Sequence, residues 1–501
     1  MEPNRGETAG NNRSWKRPIA LAGVSVLLLF QAWSYFRILP LILGPRVILQ
    51  PWLMSKGFIL YDQIADLHTP LMPLLLSIMA PLFHELFELA RAALVALLTL
   101  TTLLTFVVGK RKSGWLGGLW AVWFFTMWSY TFMFMKLWHE AFLAPLFMLL
   151  FLFEGPSGTA RSRRSQILLG CLGGVLFLFK QQAVVPFAVF VLWSLFTEPG
   201  LHSARALRWR KIGWIGMGAA LPVLAFSAYQ FLHAHTLRGF WYWTLGYHLE
   251  GAYVSQAGLR PTVEQAGLIV SAGLLVPAAA LFFIEAARKK DPSWKTFGIL
   301  LSMLLAGCIT AYPRFNFFHL QPALPVLAVL SSLTLSHAIR RAGSARIFPT
   351  GIAMALSVFW TLCPGYGNYR PVFKPTNRRP IYEYSTVIPL VETLRPYVKS
   401  TDRLYVFPDY ESNSNLYYCM RRTPPSFWIF HYPWFLSDRI RARILESLEA
   451  SPPDCVVYFP DWFGTVSAAP DIDRYIKTNY RLVIRYTKWW DQDVLLLRRI
   501  Q

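Results

Sequence analysis

The sequence is poor in charged residues, and poorest in acidic ones. Asp, Glu, Lys and Arg make up 15% of the 501 residues, and Asp and Glu together number 27. About 25% charged residues is usual for soluble domains. Hydrophobic residues make up 54% of the chain. This composition excludes an ordinary cytosolic enzyme and a disordered protein, and it predicts a polytopic α-helical membrane protein.

Cysteine is rare, and the common cofactor motifs are missing. The five cysteines form no CxxC pair, and no HExxH, Walker or GxGxxG pattern stands in a suitable context. We therefore expect no metal and no cofactor. Cys419 and Cys455 lie in the same C-terminal region and can form a disulfide there. We favour an unpaired thiol instead, because Cys455 begins an apolar, strand-like run.

Lys and Arg number 49, which gives a formal net charge of +22. Such an excess also occurs in nucleic-acid-binding proteins. Here, however, the basic residues stand in short clusters between apolar stretches, as in cytoplasmic loops under the positive-inside rule. The clusters are Arg13/Lys16/Arg17, Lys110/Arg111/Lys112, Arg161/Arg163/Arg164, Arg205/Arg208/Arg210/Lys211, Arg288/Lys289/Lys290 and Arg340/Arg341/Arg346. We expect membrane lipids as partners and no nucleic acid.

Apolar stretches of helical length define the topology. The first covers 18–39, follows a basic cytoplasmic segment 1–17 and lacks a cleavage site, so we interpret it as an anchor. The others lie near 88–109, 115–134, 141–154, 166–180, 183–197, 212–232, 264–287, 294–312, 321–339 and 347–363. Alternating these eleven spans puts every basic cluster inside. It puts 40–87, 135–140, 233–263, 313–320 and 364–501 outside.

Residues 70–83 complicate the count, which we place at 11–13 helices. The stretch is apolar but contains three prolines, and we interpret it as a juxtamembrane or re-entrant helix of the first outer loop, 40–87.

The character of the chain changes after the transmembrane domain, 18–363. Residues 364–380 are rich in Pro, Gly and Arg and form a linker. Residues 381–501 contain short strand-like runs and a helix-like run from Ser437 to Ala450, with Ser437 as its N-cap. We predict a small α/β domain on the outer face of the cytoplasmic membrane.

Polar residues cluster in the first outer loop, between apolar walls. Tyr61, Asp62, Asp66 and His68 stand within eight residues. The two carboxylates are four apart, which puts them on one face if the segment is helical. In the alternative, Asp66 or Thr69 only caps the helix that follows.

Three further polar clusters lie on the same predicted face: Glu140, the pair Lys180 and Gln181, and the pair Arg314 and His319. Each cluster also has an explanation that involves no function. Glu140 can simply favour a helix N-terminus, Lys180 can snorkel, and the residues near His319 can anchor the interface. Together, carboxylates and cations at interface depth suit an acid–base reaction on a phosphate-bearing lipid.

The first-loop pattern resembles a signature of the GT-C glycosyltransferases. It reads Gly57-x-x-x-Tyr61-x-x-x-x-Asp66-x-His68-x-Pro70-Leu71. More narrowly, the chain is similar to the bacterial relatives of dolichyl-phosphate-mannose–protein mannosyltransferases, glycosyltransferase family 39. Supporting stretches are Leu176 to Gln181, Pro313-Arg314-Phe315 with His319 and Pro322, and the tail segments Asp402 to Val406 and Pro452 to Val457.

The resemblance implies an inverting hexosyl- or pentosyltransferase. It would move a sugar from a polyprenyl-phosphate donor to a hydroxyl of a glycan, lipid or protein acceptor. One carboxylate would serve as general base, with Asp66 ahead of Asp62 because it is in register with the family's loop carboxylate. Glu140 matches the family's second acidic position.

The resemblance assigns the other polar residues to substrate binding: His68, Tyr61, Lys180, Gln181, Arg314 and His319. The chain departs from the family at Leu43-Gly44-Pro45-Arg46, where many relatives carry the acidic residue that serves as base. Either another carboxylate replaces it or the activity is lost. The alternative function is a non-catalytic lipid-binding protein or a transporter, which the near absence of Asp and Glu from the spans disfavours.

Overall fold

The chain folds into a long helical part followed by a small domain with a four-stranded sheet. The computed structural model describes residues 15–37, 42–153, 162–197, 205–249, 261–311, 315–342, 382–409, 411–425, 427–460, 464–489 and 492–500. The predicted span 347–363 and the linker 364–380 lie outside these ranges.

Helices follow one another along the first part of the chain. They are α1 (Lys16–Arg37), α2 (Pro45–Ser55), α3 (Leu71–Met79), α4 (Leu86–Ser129), α5 (His139–Leu152), α6 (Arg163–Phe179), α7 (Val184–Thr197), α8 (Arg205–Tyr229), α9 (Leu237–Trp241), α10 (Tyr247–Leu249), α11 (Val263–Ala272), α12 (Val276–Arg288), α13 (Ser293–Cys308) and α14 (Ala323–Ala342). Within the described ranges, five helices are long and apolar enough to cross a membrane, or six if the bent pair α11 and α12 is one span.

These helices coincide with the predicted spans wherever the structure describes them. Two predicted spans share α4, which breaks at Gly114, where φ is 83°. That positive φ is open to glycine at no steric cost, so the chain breaks into two helices just after the basic residues 110–112, which are themselves helical. The predicted helix at 70–83 is present as the short α3. It begins after Pro70 without a side-chain cap, so the capping role considered for Asp66 and Thr69 is not seen.

Close helix contacts depend on small residues, as is usual for membrane helices. Helices α6 and α8 cross where Gly170 and Gly218 meet the opposite backbone. A Cβ at Gly218 would lie 2.1 Å from the carbonyl oxygen of Ile167, and one at Gly170 would lie 2.1 Å from that of Ile215. Any larger residue would therefore force these two helices apart.

Two loops at one end of the bundle are joined by a minimal sheet. Strand β1 (Ile42–Leu43) pairs in parallel with β2 (Lys136–Leu137). The pairing brings the start of α2 beside the start of α5, and so brings Arg46 close to the segment that contains His139 and Glu140.

The C-terminal domain is α/β, as predicted. Its sheet has the order β3-β4-β6-β5, with β3 (Leu404–Phe407) parallel to β4 (Cys455–Tyr458) and β6 (Gln492–Arg499) antiparallel to both β4 and β5 (Tyr480–Trp489). Helices Tyr382–Leu394, Asn415–Met420, Asp438–Ala450, Thr465–Ala468 and Pro470–Asn479 pack around it.

Two sequence expectations concern this domain. The predicted helix begins at Asp438 after Ser437, but Ser437 makes no side-chain cap bond. Cys419 and Cys455 are not joined by a disulfide. Cys455 is fully buried in β4 and lies 3.6 Å from Asp402, so the disulfide is not formed and the unpaired thiol that we favoured is what the structure has.

The C-terminal domain docks directly on the first loop. The amide of Ala65 donates to the carbonyl of Trp428 at 2.9 Å, and the amide of Trp428 donates to the carbonyl of Gln63 at 2.8 Å. This backbone pairing ends one residue before Asp66, so the domain fixes the path of the chain into the polar cluster.

Candidate active site

A buried carboxylate, Asp66, lies at the centre of the first polar cluster. Its Oδ1 accepts from the backbone amide of His68 at 3.0 Å and lies 3.4 Å from Nε of Arg46. Its Oδ2 accepts from Nε2 of Gln50 at 2.9 Å. The Asp66 side chain has 0% exposure. Both oxygens are therefore already engaged.

Arg46 is the residue that the sequence did not identify as part of a site. Its guanidinium lies between two rings, 5.3 Å from the centroid of Trp138 and 5.0 Å from that of Phe430. Such cation–π contacts hold the charge in place next to Asp66. The only signal in the sequence was the departure at Gly44-Pro45-Arg46, which we noted as a missing carboxylate and not as a new cation.

Arg46 determines the protonation of its neighbours. Burial by itself would raise the pKa of Asp66. Arg46 and His68 lower this pKa by more than burial raises it, so it lies below its ordinary value. Burial and the Arg46 charge lower the pKa of His68 to about 4, so the ring is neutral near pH 7. Arg46 can only donate, and it contacts Nδ1 of His68 at 2.8 Å. Nδ1 also lies 3.2 Å from Oδ1 of Asp66, so the ring is held between a guanidinium group and a carboxylate.

A second cluster gathers Glu140, Lys180 and His319 from three separate segments. The ammonium of Lys180 and Nδ1 of His319 both contact Oε1 of Glu140. Lys180 also lies 3.5 Å from the Thr310 carbonyl. Lys180 is 3% exposed and Glu140 is 0% exposed. Snorkelling of Lys180 is therefore not seen, whereas Glu140 does stand in the first turn of α5.

The two carboxylate oxygens of Glu140 differ in their contacts. Within the part of the chain that the structure describes, Oε2 is buried and has no hydrogen-bond partner. Burying such a group without a partner costs free energy, and unsatisfied groups of this kind are typical of positions that meet a ligand.

His139 connects the two clusters. Its ring stacks on His68 with centroids 4.5 Å apart and an interplanar angle of 15°. His139 is 0% exposed, and neither ring nitrogen bonds to any described residue. Because Glu140 is the next residue, the two polar clusters form one continuous site. The sequence gave no reason to single out His139.

Gln181 holds the turn after α6 against the first loop. Its Nε2 donates to the carbonyl of Leu67 at 2.9 Å and lies 3.0 Å from Nε2 of His248. Tyr61 braces the loop from the other side, where its hydroxyl donates to the carbonyl of His68 at 2.8 Å. Gln181 and Tyr61 thus hold backbone at the site, and His248 is a further contact that the sequence did not predict.

Two predicted residues stand apart from the site. The Asp62 side chain is 56% exposed and pairs with Arg443 of the C-terminal domain at 3.5 Å. It lines a separate cavity and does not face Asp66. Arg314 lies outside the described residues. Among the residues that are described, no group of three or more His, Cys, Asp or Glu side chains has the arrangement of a metal site.

This arrangement can bind an anion and move a proton. Lys180 is a donor, the neutral ring of His68 has one donor and one acceptor nitrogen, and Glu140 Oε2 is an acceptor without a partner among the described residues. All three side chains lie at the end of the helical bundle where β1 pairs with β2.

Comparisons with known proteins agree on the fold alone. No protein-family model and no curated protein sequence matches the chain. ArnT from Cupriavidus metallidurans, solved bound to undecaprenyl phosphate, is similar with a TM-score of 0.60 and 13% identity, over 96% of this chain and 98% of ArnT. The mycobacterial arabinofuranosyltransferase AftD is similar with a TM-score of 0.54 and 13% identity, over 97% of this chain and 40% of AftD.

A third similar structure is the archaeal oligosaccharyltransferase AglB from Archaeoglobus fulgidus, in complex with an inhibitory peptide and a dolichol-phosphate. Its TM-score is 0.51 and its identity 13%, over 96% of this chain and 74% of AglB. These neighbours are GT-C glycosyltransferases. The GT-C fold that the loop motifs implied is therefore confirmed, and the chain is a multi-pass membrane protein.

Proposed function

We propose that this chain is a membrane glycosyltransferase that moves a sugar from a polyprenyl-phosphate donor to an acceptor hydroxyl, with inversion at the anomeric carbon. Two structural neighbours support the donor class, since ArnT was solved with undecaprenyl phosphate and AglB with a dolichol-phosphate. The basic clusters favour the outer face of the cytoplasmic membrane as the place of transfer. The acceptor is a glycan, a lipid or a protein.

One observation carries the proposal: Glu140, Lys180 and His319 meet in a buried site although they come from distant parts of the chain. A buried ion pair is a poor source of stability, because desolvation offsets the attraction between the charges. Titratable groups placed together in this way favour a role in binding or chemistry.

Lys180 and His319 are assigned to the donor phosphate, together with Arg314. During transfer, the bond between the anomeric carbon and the phosphate oxygen breaks, and the leaving polyprenyl phosphate gains one negative charge. Fixed donors directed at a charge that develops in the transition state contribute strongly to rate. A phosphate leaves without a proton, so the reaction requires no general acid.

Glu140 is assigned as the general base. Its Oε2 is open, whereas Oε1 is held by Lys180 and His319. When the donor phosphate engages Lys180, Glu140 loses its main counter-charge and its affinity for a proton rises. The carboxylate then takes the proton of the acceptor hydroxyl while that oxygen bonds to the anomeric carbon. Donor binding thus activates the base.

Asp66, which the sequence favoured as base, fits better as a positioning residue. Its oxygens are occupied by Arg46, Gln50 and the amide of His68, and its low pKa makes it a weak base. It holds His68 in place through the backbone amide and Nδ1 of that residue. Asp62 is exposed and paired with Arg443, so we assign it no step in the transfer.

The second candidate function is a lipid-binding protein without catalysis. The pairing of Arg46 with Asp66 is the observation that favours it, since the cation stands where many relatives carry the acidic base. Both functions require binding of a polyprenyl phosphate, but only the transferase requires a base.

The test uses the full chain in liposomes, with undecaprenyl phosphate as the binding probe. Transfer is measured from radiolabelled polyprenyl-phosphate sugars to acceptors in a membrane fraction. Glu140→Gln should lower transfer by roughly 10²–10⁴, the usual range for a general base, while undecaprenyl phosphate still binds. Lys180→Met should weaken binding itself. Lys56→Met is the matched control, because Lys56 also directly follows a helix but is exposed.

The outcomes separate the candidates. Parental transfer by Glu140→Gln would remove Glu140 as base and return the assignment to Asp66. Binding without transfer by the parent chain would favour the lipid-binding protein. Undiminished binding by Lys180→Met would contradict the assigned phosphate site.

A further inference from the structure

A cavity of about 780 Å³ lies between three segments of the chain. These are the first loop, α9 together with the turns on either side of it, and the helix Asp438–Ala450. Tyr61 and Asp62 line it from the loop, and Arg439 and Arg443 line it from the helix. It is separate from the clusters around Asp66 and Glu140, and neither the proposed transfer nor the fold comparison assigns it a ligand.

The walls of the cavity are held by specific contacts. Arg443 donates to the Asp62 carbonyl at 2.8 Å and pairs with the Asp62 carboxylate. On the opposite side, Gly239 approaches the first loop so closely that a Cβ would lie 2.4 Å from the Tyr61 carbonyl oxygen. Only glycine permits this approach. The cavity is therefore built by the contact of three segments.

The lining combines guanidinium groups with aromatic rings. The Arg439 guanidinium lies 4.7 Å from the ring centroid of Tyr242, and Trp243 is a neighbouring wall residue. Arg238, on α9, is exposed and forms no ion pair with a described residue. Guanidinium groups bind phosphate and carboxylate groups through paired hydrogen bonds, and aromatic faces suit the apolar face of a sugar ring.

We propose that this cavity binds the acceptor, and that the acceptor is a glycan bearing an anionic group, a phosphate or a carboxylate. The proposal rests on the transferase function given above. Arg238 and Arg439 hold the anionic group, and Tyr242 packs against the sugar ring.

The cavity is connected to the chemistry through Tyr61. That residue lines the cavity, and its hydroxyl donates to the carbonyl of His68 at 2.8 Å. His68 in turn contacts Asp66 and stacks on His139. The residue that forms one wall of the cavity therefore also holds the backbone of the candidate active site in place.

The experiment measures binding of radiolabelled glucose 1-phosphate to the full chain in phosphatidylcholine nanodiscs. Arg439→Gln and Arg238→Gln should each weaken binding by about tenfold or more, the scale of a lost charge-assisted bond. Arg441→Gln is the matched control, since Arg441 is on the same helix but pairs with Asp471 and does not line the cavity. Methyl glucoside, which lacks the anion, should bind weakly to every form.

Three results would overturn the proposal: parental binding by both arginine variants, an equal loss in Arg441→Gln, or equal binding of methyl glucoside and glucose 1-phosphate. Nanodiscs containing phosphatidylinositol distinguish the source of the ligand, because competition by that lipid indicates a membrane-borne acceptor and its absence a soluble one.

Undecaprenyl phosphate binding is followed on the same samples. Arg439→Gln should leave that binding unchanged. If the parent chain binds glucose 1-phosphate but no undecaprenyl phosphate, then the transferase function fails while the anion site remains. If it binds only undecaprenyl phosphate, the acceptor site fails alone.

Discussion

Arg46 and Asp66 should behave as one coupled pair in the stability of the chain. Their side chains are 5% and 0% exposed and lie 3.4 Å apart. Arg46→Met leaves the carboxylate buried without a counter-charge, and removal of one partner of a buried pair costs about 3–5 kcal/mol. Gln50 and the amide of His68 still donate to Asp66, so we expect the lower end of that range.

The reciprocal change should cost less. Asp66→Asn leaves Arg46 charged, but the rings of Trp138 and Phe430 still contact the guanidinium, and cation–π contacts contribute about 0.5–2 kcal/mol. The double variant Arg46→Met/Asp66→Asn has no uncompensated charge. It should therefore be more stable than Arg46→Met alone, with a coupling energy of about 1–3 kcal/mol.

The assay is a denaturant titration of the four proteins in bicelles at several pH values. In the parent, Arg46 lowers the pKa of Asp66, so the contribution of this carboxylate is present at neutral pH and is lost only in strong acid. In Arg46→Met, the strongest pKa-lowering contact is lost while burial, which raises the pKa, remains, so the pKa of Asp66 should rise. The folded form then binds the proton more tightly, and the deficit of this variant should shrink as the pH falls.

The reasoning would be refuted if the losses in unfolding free energy of the two single variants added up to that of the double variant. It would also be refuted if the stability deficit of Arg46→Met did not change with pH. Either result would mean that the two charges are not in contact in the membrane-embedded protein.

Three more predictions test other parts of the chain. Burial raises the pKa of Asp409 to about 7, so ionising this carboxyl destabilises the domain. The stability advantage of Asp409→Asn over the parent should therefore grow between about pH 4 and 7 and then stay constant. An advantage that does not change with pH would show that Asp409 does not have a raised pKa. Gly218→Val should prevent stable packing of α6 on α8, whereas Gly213→Ala, which meets open space, should be tolerated; equal thermal stability of the two would contradict the close contact. A reporter enzyme fused after Gly365 should be active only outside the cytoplasm, and cytoplasmic activity would overturn the topology.

The sequence predicted those parts of the molecule that depend on local pattern. Apolar length and basic clusters located the helices, and the loop motif located Asp66 and His68. Glu140 and Lys180 were singled out because they lie in polar clusters on the same predicted face of the membrane. Burial and pairing of these residues, however, are set by tertiary contacts.

The contacts that the sequence did not predict come from distant segments. Phe430 lies far along the chain from Arg46, and no local pattern connects an aromatic run in the C-terminal domain with a helix start after the first span. His139 looked like an ordinary loop residue because its partner His68 meets it only after β1 pairs with β2. Asp62 and Asp66 would share one face only if the segment were helical. The segment is instead a turn with Tyr61 at positive φ, and the two carboxylates are separated.

The pairing of Trp428 with Gln63 and Ala65 also has a consequence for biosynthesis. Chains are made from the N-terminus, so the first loop exists long before the segment that completes it. Until Trp428 arrives, the loop lacks its backbone partner and Arg46 lacks one of its two rings. A nascent or truncated chain would therefore carry an incomplete polar cluster, and Arg46 and Asp66 would reach their final surroundings only once the C-terminal domain has docked on the first loop.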